Sequence, residues 1–116
     1  MLQAVFSIDE LRDLQRRAEK VKLADRVVDY VLSLAERTRK SDRFQLGVST
    51  RAALGLCRAA QAMALAAGRD FVVPDDVQRL VAPVLGHRVM LGRGAAGLEA
   101  AEKALDQLVA ETPVPI

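Results

Sequence analysis

A long, alanine-rich segment at residues 50–67 constrains the fold of this chain more than any other feature. Its apolar residues recur at helical spacing and form one broad face, which comprises Ala52, Leu56, Ala59, Ala60, Met63 and Ala67. Leu54 and Leu65 fall elsewhere on the helix, so we expect neighbouring elements to contact it on more than one side. Gly68 then ends the helix as a C′ residue. The segment predicts a central helix that others surround.

Four more segments have a helical pattern, and they complete a small bundle. Ser7 and Glu10 form a capping box at the start of the first. Pro74 begins the fourth with two acids behind it, although Val73 is a poor N-cap. The predicted ranges are 8–21, 25–39, 74–86 and 98–110. Only 3% of residues are aromatic, so the core must consist of Ala, Leu and Val, as in closely packed helices.

We therefore predict one all-α domain over residues 1–116, a bundle of about five helices. Residues 71–73 and 87–91 are predicted to be short extended segments, residues 1–6 are extended as well, and residues 40–48 form a loop. The pattern leaves open whether the fifth helix packs on the bundle or reaches a neighbour.

The start of the third helix is the candidate binding site. Gly47 leads to Ser49, which can cap the helix, and Arg51 falls in its first turn beside Thr50. Free N–H groups and the positive end of the helix dipole make this position suited to phosphate, and a guanidinium strengthens it. The arginine opposes the dipole, which suggests a ligand. Spacing alone favours the alternative, a solvated arginine on the helix surface.

Other motifs point away from a complete enzyme within these residues. The sequence has no Gly-x-x-x-x-Gly-Lys-Ser/Thr and no acids placed to hold magnesium. The stretch 92–97 matches Gly-x-Gly-x-x-Gly, but no second strand or acid follows it, so a flexible connector is the better interpretation. His87 is interpreted as a structural hydrogen-bonding residue and Cys57 as a small core residue. We predict no metal site, because ligands do not converge.

Charge and hydropathy narrow the class of partner. The formal net charge is +2, with acids and bases interleaved, and Asp75 and Asp76 would repel nucleic acid at a helix start. Nucleic-acid binding therefore remains only a minor alternative. No apolar run approaches the roughly 18 residues that cross a bilayer, and no leader segment is visible, so we expect a soluble cytoplasmic domain. A stand-alone helical module for protein–protein interaction is the other alternative, given the apolar excess on the third and fifth helices.

A series of motifs over about residues 5–91 is similar to one known family. The main stretches are Leu46-Gly47-Val48-Ser49-Thr50-Arg51-Ala52, Gly68-Arg69-Asp70-Phe71-Val72, Val73-Pro74-Asp75-Asp76-Val77, Pro83-Val84-Leu85 and His87-Arg88. In this order and spacing, the chain resembles the C-terminal lid domain of a MoxR-type AAA+ ATPase. It departs from the family at Thr50, where proline is common, and at Val73, where threonine usually caps the helix.

The resemblance implies that the chain is a piece of a larger ATPase whose missing α/β core holds Mg-ATP and carries the Walker motifs. Arg51 matches the sensor 2 residue that reaches the γ-phosphate, with Ser49 and Thr50 beside it as further nucleotide-binding residues. The implied partners are the chain's own core domain, neighbouring subunits of a ring and a von Willebrand factor A-type protein. The implied activity is ATP hydrolysis coupled to chaperone-like maturation of partner complexes.

Overall fold

Five helices make up most of the computed structural model, which describes residues 7–91 and 97–115. The elements in chain order are α1 (Ile8–Glu19), α2 (Asp25–Lys40), β1 (Phe44–Leu46), α3 (Thr50–Ala66), α4 (Pro74–Leu85), β2 (Met90–Leu91) and α5 (Leu98–Glu111). The predicted all-α bundle is confirmed, with helix ends within about two residues of those expected. The predictions for residues 1–6 and 92–96 lie outside the described residues. None of the helices described is long and apolar enough to cross a membrane.

The central helix is α3, as predicted, and it packs against α1, α2 and α4. Its small residues Ala60 and Ala64 are fully buried, which allows neighbouring helices to approach closely. The expectation that a neighbouring element contacts Leu54 is wrong, because this side chain is 54% exposed and no described element covers its side of α3. Leu65 is partly buried against the core, as expected.

The last helix, α5, packs on the bundle along α4 and α2. Leu105 and Leu108 are its buried anchors. Gly86 allows this approach, because a Cβ there would lie 2.8 Å from the Ala82 carbonyl oxygen and 2.9 Å from Leu98 Cδ1. The C-terminal end of α5 is tied down by Glu111, whose carboxylate accepts two hydrogen bonds from Arg43 at 2.7 and 2.8 Å.

The first helix, α1, is attached more lightly than the others. It contains no buried residue, and Ile8 and Leu11 are 70% and 50% exposed. Its apolar side rests on α3. After its end, Gln61 of α3 donates a hydrogen bond to the Val21 carbonyl at 2.9 Å, which anchors the turn into α2.

A two-stranded antiparallel ribbon, β1 with β2, was not predicted in full. It pairs Phe44 with Leu91 and Leu46 with Met90. The prediction of a loop at 40–48 is therefore wrong for residues 44–46. Of the predicted extended segment 87–91, His87 and Arg88 lie instead in a turn after α4. Because the two strands are far apart in the chain, a local pattern carries little information about their pairing.

The extended segment predicted at 71–73 joins two loops of the bundle. Lys22 pairs with Phe71 as a parallel bridge. The Lys22 N–H donates to the Asp70 carbonyl at 2.8 Å, and the Val72 N–H donates to the Lys22 carbonyl at 2.9 Å. The α1–α2 connection is thereby fastened to the α3–α4 connection.

The start of α4 is held by Asp76 rather than by its N-cap residue. Val73 has no side-chain acceptor, but the Asp76 carboxylate accepts a hydrogen bond from the Val73 N–H at 2.9 Å. The same carboxylate accepts two hydrogen bonds from Arg69 at 2.7 and 2.8 Å. The absence of a capping side chain at Val73 is thus offset by the buried carboxylate of Asp76, three residues later.

Replacing Val73 with threonine should stabilise the chain by about 0.5 kcal/mol, because the hydroxyl supplies the missing N-cap acceptor. The Asp76 N–H, which donates to the Val73 carbonyl at 3.0 Å in the structure, would be its donor, completing the capping box. Urea unfolding followed by circular dichroism would measure the gain, with Val73→Ala as a control that lacks the hydroxyl. A Val73→Thr midpoint no higher than that of the parent would contradict this view of the helix start.

Candidate functional site

The first turn of α3 has the geometry that the sequence predicted. Ser49 Oγ accepts a hydrogen bond from the Ala52 N–H at 3.1 Å, and the Ser49 carbonyl accepts one from the Ala53 N–H at 3.0 Å. Ser49 is therefore the N-cap. Thr50 and Arg51 are the first two residues of α3, and their N–H groups have no hydrogen-bond partner among residues 7–91 and 97–115. They are left for solvent or a ligand.

The Arg51 side chain is exposed. Its guanidinium makes no hydrogen bond or ion pair with any residue that the structure describes. It therefore takes no part in holding the bundle together within these residues. The structure brings Ser49, Thr50 and Arg51 together at one helix start but contains no ligand that would assign them a role.

The charge at this helix start differs from that at the others in the described ranges. Acidic residues occupy the first turns of α1, α2, α4 and α5, whereas the first turn of α3 has none. An acid in the first turn neutralises the positive end of the dipole. The start of α3 instead combines that positive end with the cation of Arg51, so it is the described helix start best suited to an anion.

The turn that precedes α3 is bound to the end of α2. Thr38 Oγ1 accepts a hydrogen bond from the Val48 N–H at 2.9 Å, and Arg39 Nε donates one to the Val48 carbonyl at 2.8 Å. A Cβ at Gly47 would lie 2.7 Å from the Arg39 backbone nitrogen, so glycine is needed for this approach. Helical spacing places Thr38 on the apolar side of α2, and neither of these contacts with Val48 could be predicted from that spacing.

The remaining candidate residues have no chemical partner in the described structure. Cys57 is buried, as predicted for a core residue, and burial raises the pKa of its thiol, which keeps it protonated. His87 is exposed and forms no side-chain hydrogen bond with the described residues, so its structural role stays a prediction. No group of three or more His, Cys, Asp or Glu side chains suited to a metal ion occurs among the described residues.

Comparison with known proteins identifies similar domains. The AAA lid domain family matches residues 36–111. The chain is 36% identical over 117 residues to the uncharacterised protein YeaC of Bacillus subtilis, covering 99% of this chain and 36% of YeaC. It is 35% identical over 96 residues to the chaperone MoxR1 of Mycobacterium tuberculosis, covering 75% of this chain and 26% of MoxR1.

A solved structure shares the fold. A proposed ATPase from Cytophaga hutchinsonii superimposes with a TM-score of 0.84 and 23% identity, covering 98% of this chain and 38% of that one. The chain therefore spans well under two thirds of the length of each of these three proteins.

Proposed function

Because this chain belongs to the AAA lid domain family and is of the MoxR type, we propose that it is the lid of a longer ATPase. In this proposal a separate core domain binds ATP, and the lid closes over it. Arg51 then contacts the γ-phosphate. The observation that carries the proposal is the exposed Arg51, without a described partner, at the one described helix start whose first turn lacks an acid.

The three residues of the helix start have separate roles. The Arg51 guanidinium binds phosphate oxygens and stabilises the negative charge that develops on them during transfer. The N–H groups of Thr50 and Arg51 supply further donors along the helix axis. Ser49 caps the helix through its Oγ, and its hydroxyl proton is available to a phosphate oxygen. Mg-ATP bound to the core supplies the reacting phosphate and the metal charge.

The packing of α3 supports a mechanical role. Because α3 contacts α1, α2 and α4, rotation of the lid carries Arg51 with it. We propose that such a rotation between nucleotide states passes to the neighbouring subunit of a ring. Similarity to the chaperone MoxR1 supports a chaperone-like role, which we propose to be the maturation of partner complexes. A cytoplasmic location and a von Willebrand factor A-type partner are further parts of this proposal.

The test is ATP hydrolysis by the full-length protein before and after Arg51→Ala. A marked loss of turnover is expected, whereas an unchanged rate would refute the role of Arg51. The 116-residue chain alone should bind ATP very weakly, because the core that holds most of the phosphate contacts is absent. Micromolar affinity of this chain for ATP in calorimetry would contradict the division of the site between two domains.

A further inference from the structure

We propose that Thr38 and Arg39 are positioning residues for Arg51, acting through the turn at Gly47 and Val48. The inference rests on the proposed function of Arg51 and goes beyond it, since neither residue contacts the nucleotide in that proposal. Both lie at the C-terminal end of α2, and both bind the backbone that leads into α3.

The Thr38 hydroxyl has both of its hydrogen-bonding roles satisfied. Its Oγ1 donates to the Ala35 carbonyl at 2.6 Å and accepts from the Val48 N–H at 2.9 Å. The side chain is 1% exposed, so water cannot replace it easily. Loss of the hydroxyl would leave the Val48 N–H buried without an acceptor, which favours movement of the turn.

Arg39 holds the other polar group of the same peptide segment. Its Nε donates to the Val48 carbonyl at 2.8 Å, although the side chain as a whole is exposed. Consecutive residues of one helix thus bind both the N–H and the carbonyl of Val48. The Val48 side chain is itself 1% exposed, so this residue is fixed through its backbone and its side chain.

The turn directs the start of α3. Ser49 follows Val48 directly and begins the helix, and Arg51 lies two residues further on. A small rotation at Val48 therefore changes the direction of the helix start and displaces the guanidinium at the end of a long side chain. A displacement of about 1 Å at a reacting group costs up to about 100-fold in rate.

The experiment compares two substitutions of Thr38 in the full-length ATPase. Thr38→Val keeps the volume but removes the hydroxyl, and Thr38→Ser keeps the hydroxyl but removes a buried methyl. We expect Thr38→Val to lower kcat about 10-fold with KM for ATP changed less than about 2-fold, and Thr38→Ser to restore kcat to within about 3-fold of the parent. If Thr38→Val keeps kcat within about 2-fold of the parent, or if Thr38→Ser loses as much kcat as Thr38→Val, the proposal is wrong.

Two further variants test the proposal at exposed residues, in case the substitutions at buried Thr38 prevent folding. Arg39→Ala removes an exposed side chain and should lower kcat in the same way, whereas Lys40→Ala should not. Lys40 is the neighbouring residue, and it pairs only with exposed Glu36 among the described residues. Equal rates for the Arg39→Ala and Lys40→Ala variants would overturn the proposal.

A double variant separates this inference from the proposed function. If Thr38 acts through Arg51, adding Thr38→Val to Arg51→Ala should change kcat by less than about 2-fold. A further 10-fold loss would show that Thr38 acts independently of Arg51 and would overturn the positioning role. Should Arg51→Ala itself leave kcat unchanged, the proposed function fails first.

Discussion

If the chain is the lid of a longer ATPase, as proposed, replacing Arg51 with alanine in that full-length protein should slow ATP hydrolysis about 100-fold. Loss of one donor that stabilises developing charge costs roughly 3 kcal/mol of activation free energy, which corresponds to that factor. The loss should fall mainly on kcat, because in the proposed function the core domain retains most contacts with the nucleotide. Steady-state phosphate release over a range of ATP concentrations would separate kcat from KM.

Two variants make this result specific. Arg51→Lys keeps a charge but loses the planar fork, so it should recover only part of the rate. Arg79→Ala removes an arginine on α4 that is 70% exposed and pairs only with Asp75 in the described structure, and it should leave hydrolysis unchanged. The melting temperature of the Arg51→Ala protein should not fall, because Arg51 has no partner in the described bundle. Equal turnover by the parent and Arg51→Ala proteins would rule out a sensor role.

Replacing Asp76 with asparagine should destabilise the chain by about 2 to 3 kcal/mol, since it removes charge-assisted hydrogen bonds from a buried carboxylate. The Asp76 side chain is 4% exposed and accepts hydrogen bonds from Arg69 and the Val73 N–H. Denaturant unfolding would measure the change. Asp75→Asn is the matched control, because its carboxylate is 63% exposed and should contribute little. Similar losses for both variants would contradict the importance of the Arg69 contact.

The same carboxylate predicts a dependence of stability on pH. The hydrogen bonds from Arg69, followed by that from the Val73 N–H, hold the pKa of Asp76 below its ordinary value. A lowered folded pKa means that the stabilisation is complete above the unfolded value of about 3.9 and is lost as pH falls through the folded value. As pH is lowered from about 5, the free energy of unfolding of the parent should therefore fall more than that of the Asp76→Asn variant.

Much of the helical architecture could be predicted because its signals are local. Ser7, Ser49 and Pro74 each begin a helix within one turn of the residues that identify the start. The β1–β2 ribbon could not be predicted in the same way. Its strands are separated by α3 and α4, and residues 40–48 are too polar to suggest a strand. Leu54 shows another limit of sequence-based prediction. Helical periodicity gives the side of the helix on which a side chain lies, but not whether another element covers it.

The helix start that carries Arg51 was predictable from the sequence, whereas the contacts of the residues that support this helix start were not. A serine cap followed by an arginine is visible in sequence, and the exposure of the guanidinium followed from it. The contact between Thr38 and Val48 depends on how α2 and the following turn fold back on each other. A threonine in an apolar stripe gives no sign that its hydroxyl binds a backbone ten residues away. Arg69 and Asp76 are similar, since their contact depends on the shape of the α3–α4 loop.

The light attachment of α1 has a mechanical consequence. Detaching this helix would uncover little apolar surface, so its opening should require less free energy than opening any buried helix of the bundle. The bridge between Lys22 and Phe71 and the bond from Gln61 to Val21 lie after α1, so both could survive such an opening. Residues 8–19 would then move away as one hinged segment, while α3 stays packed in the bundle and Arg51 keeps its position.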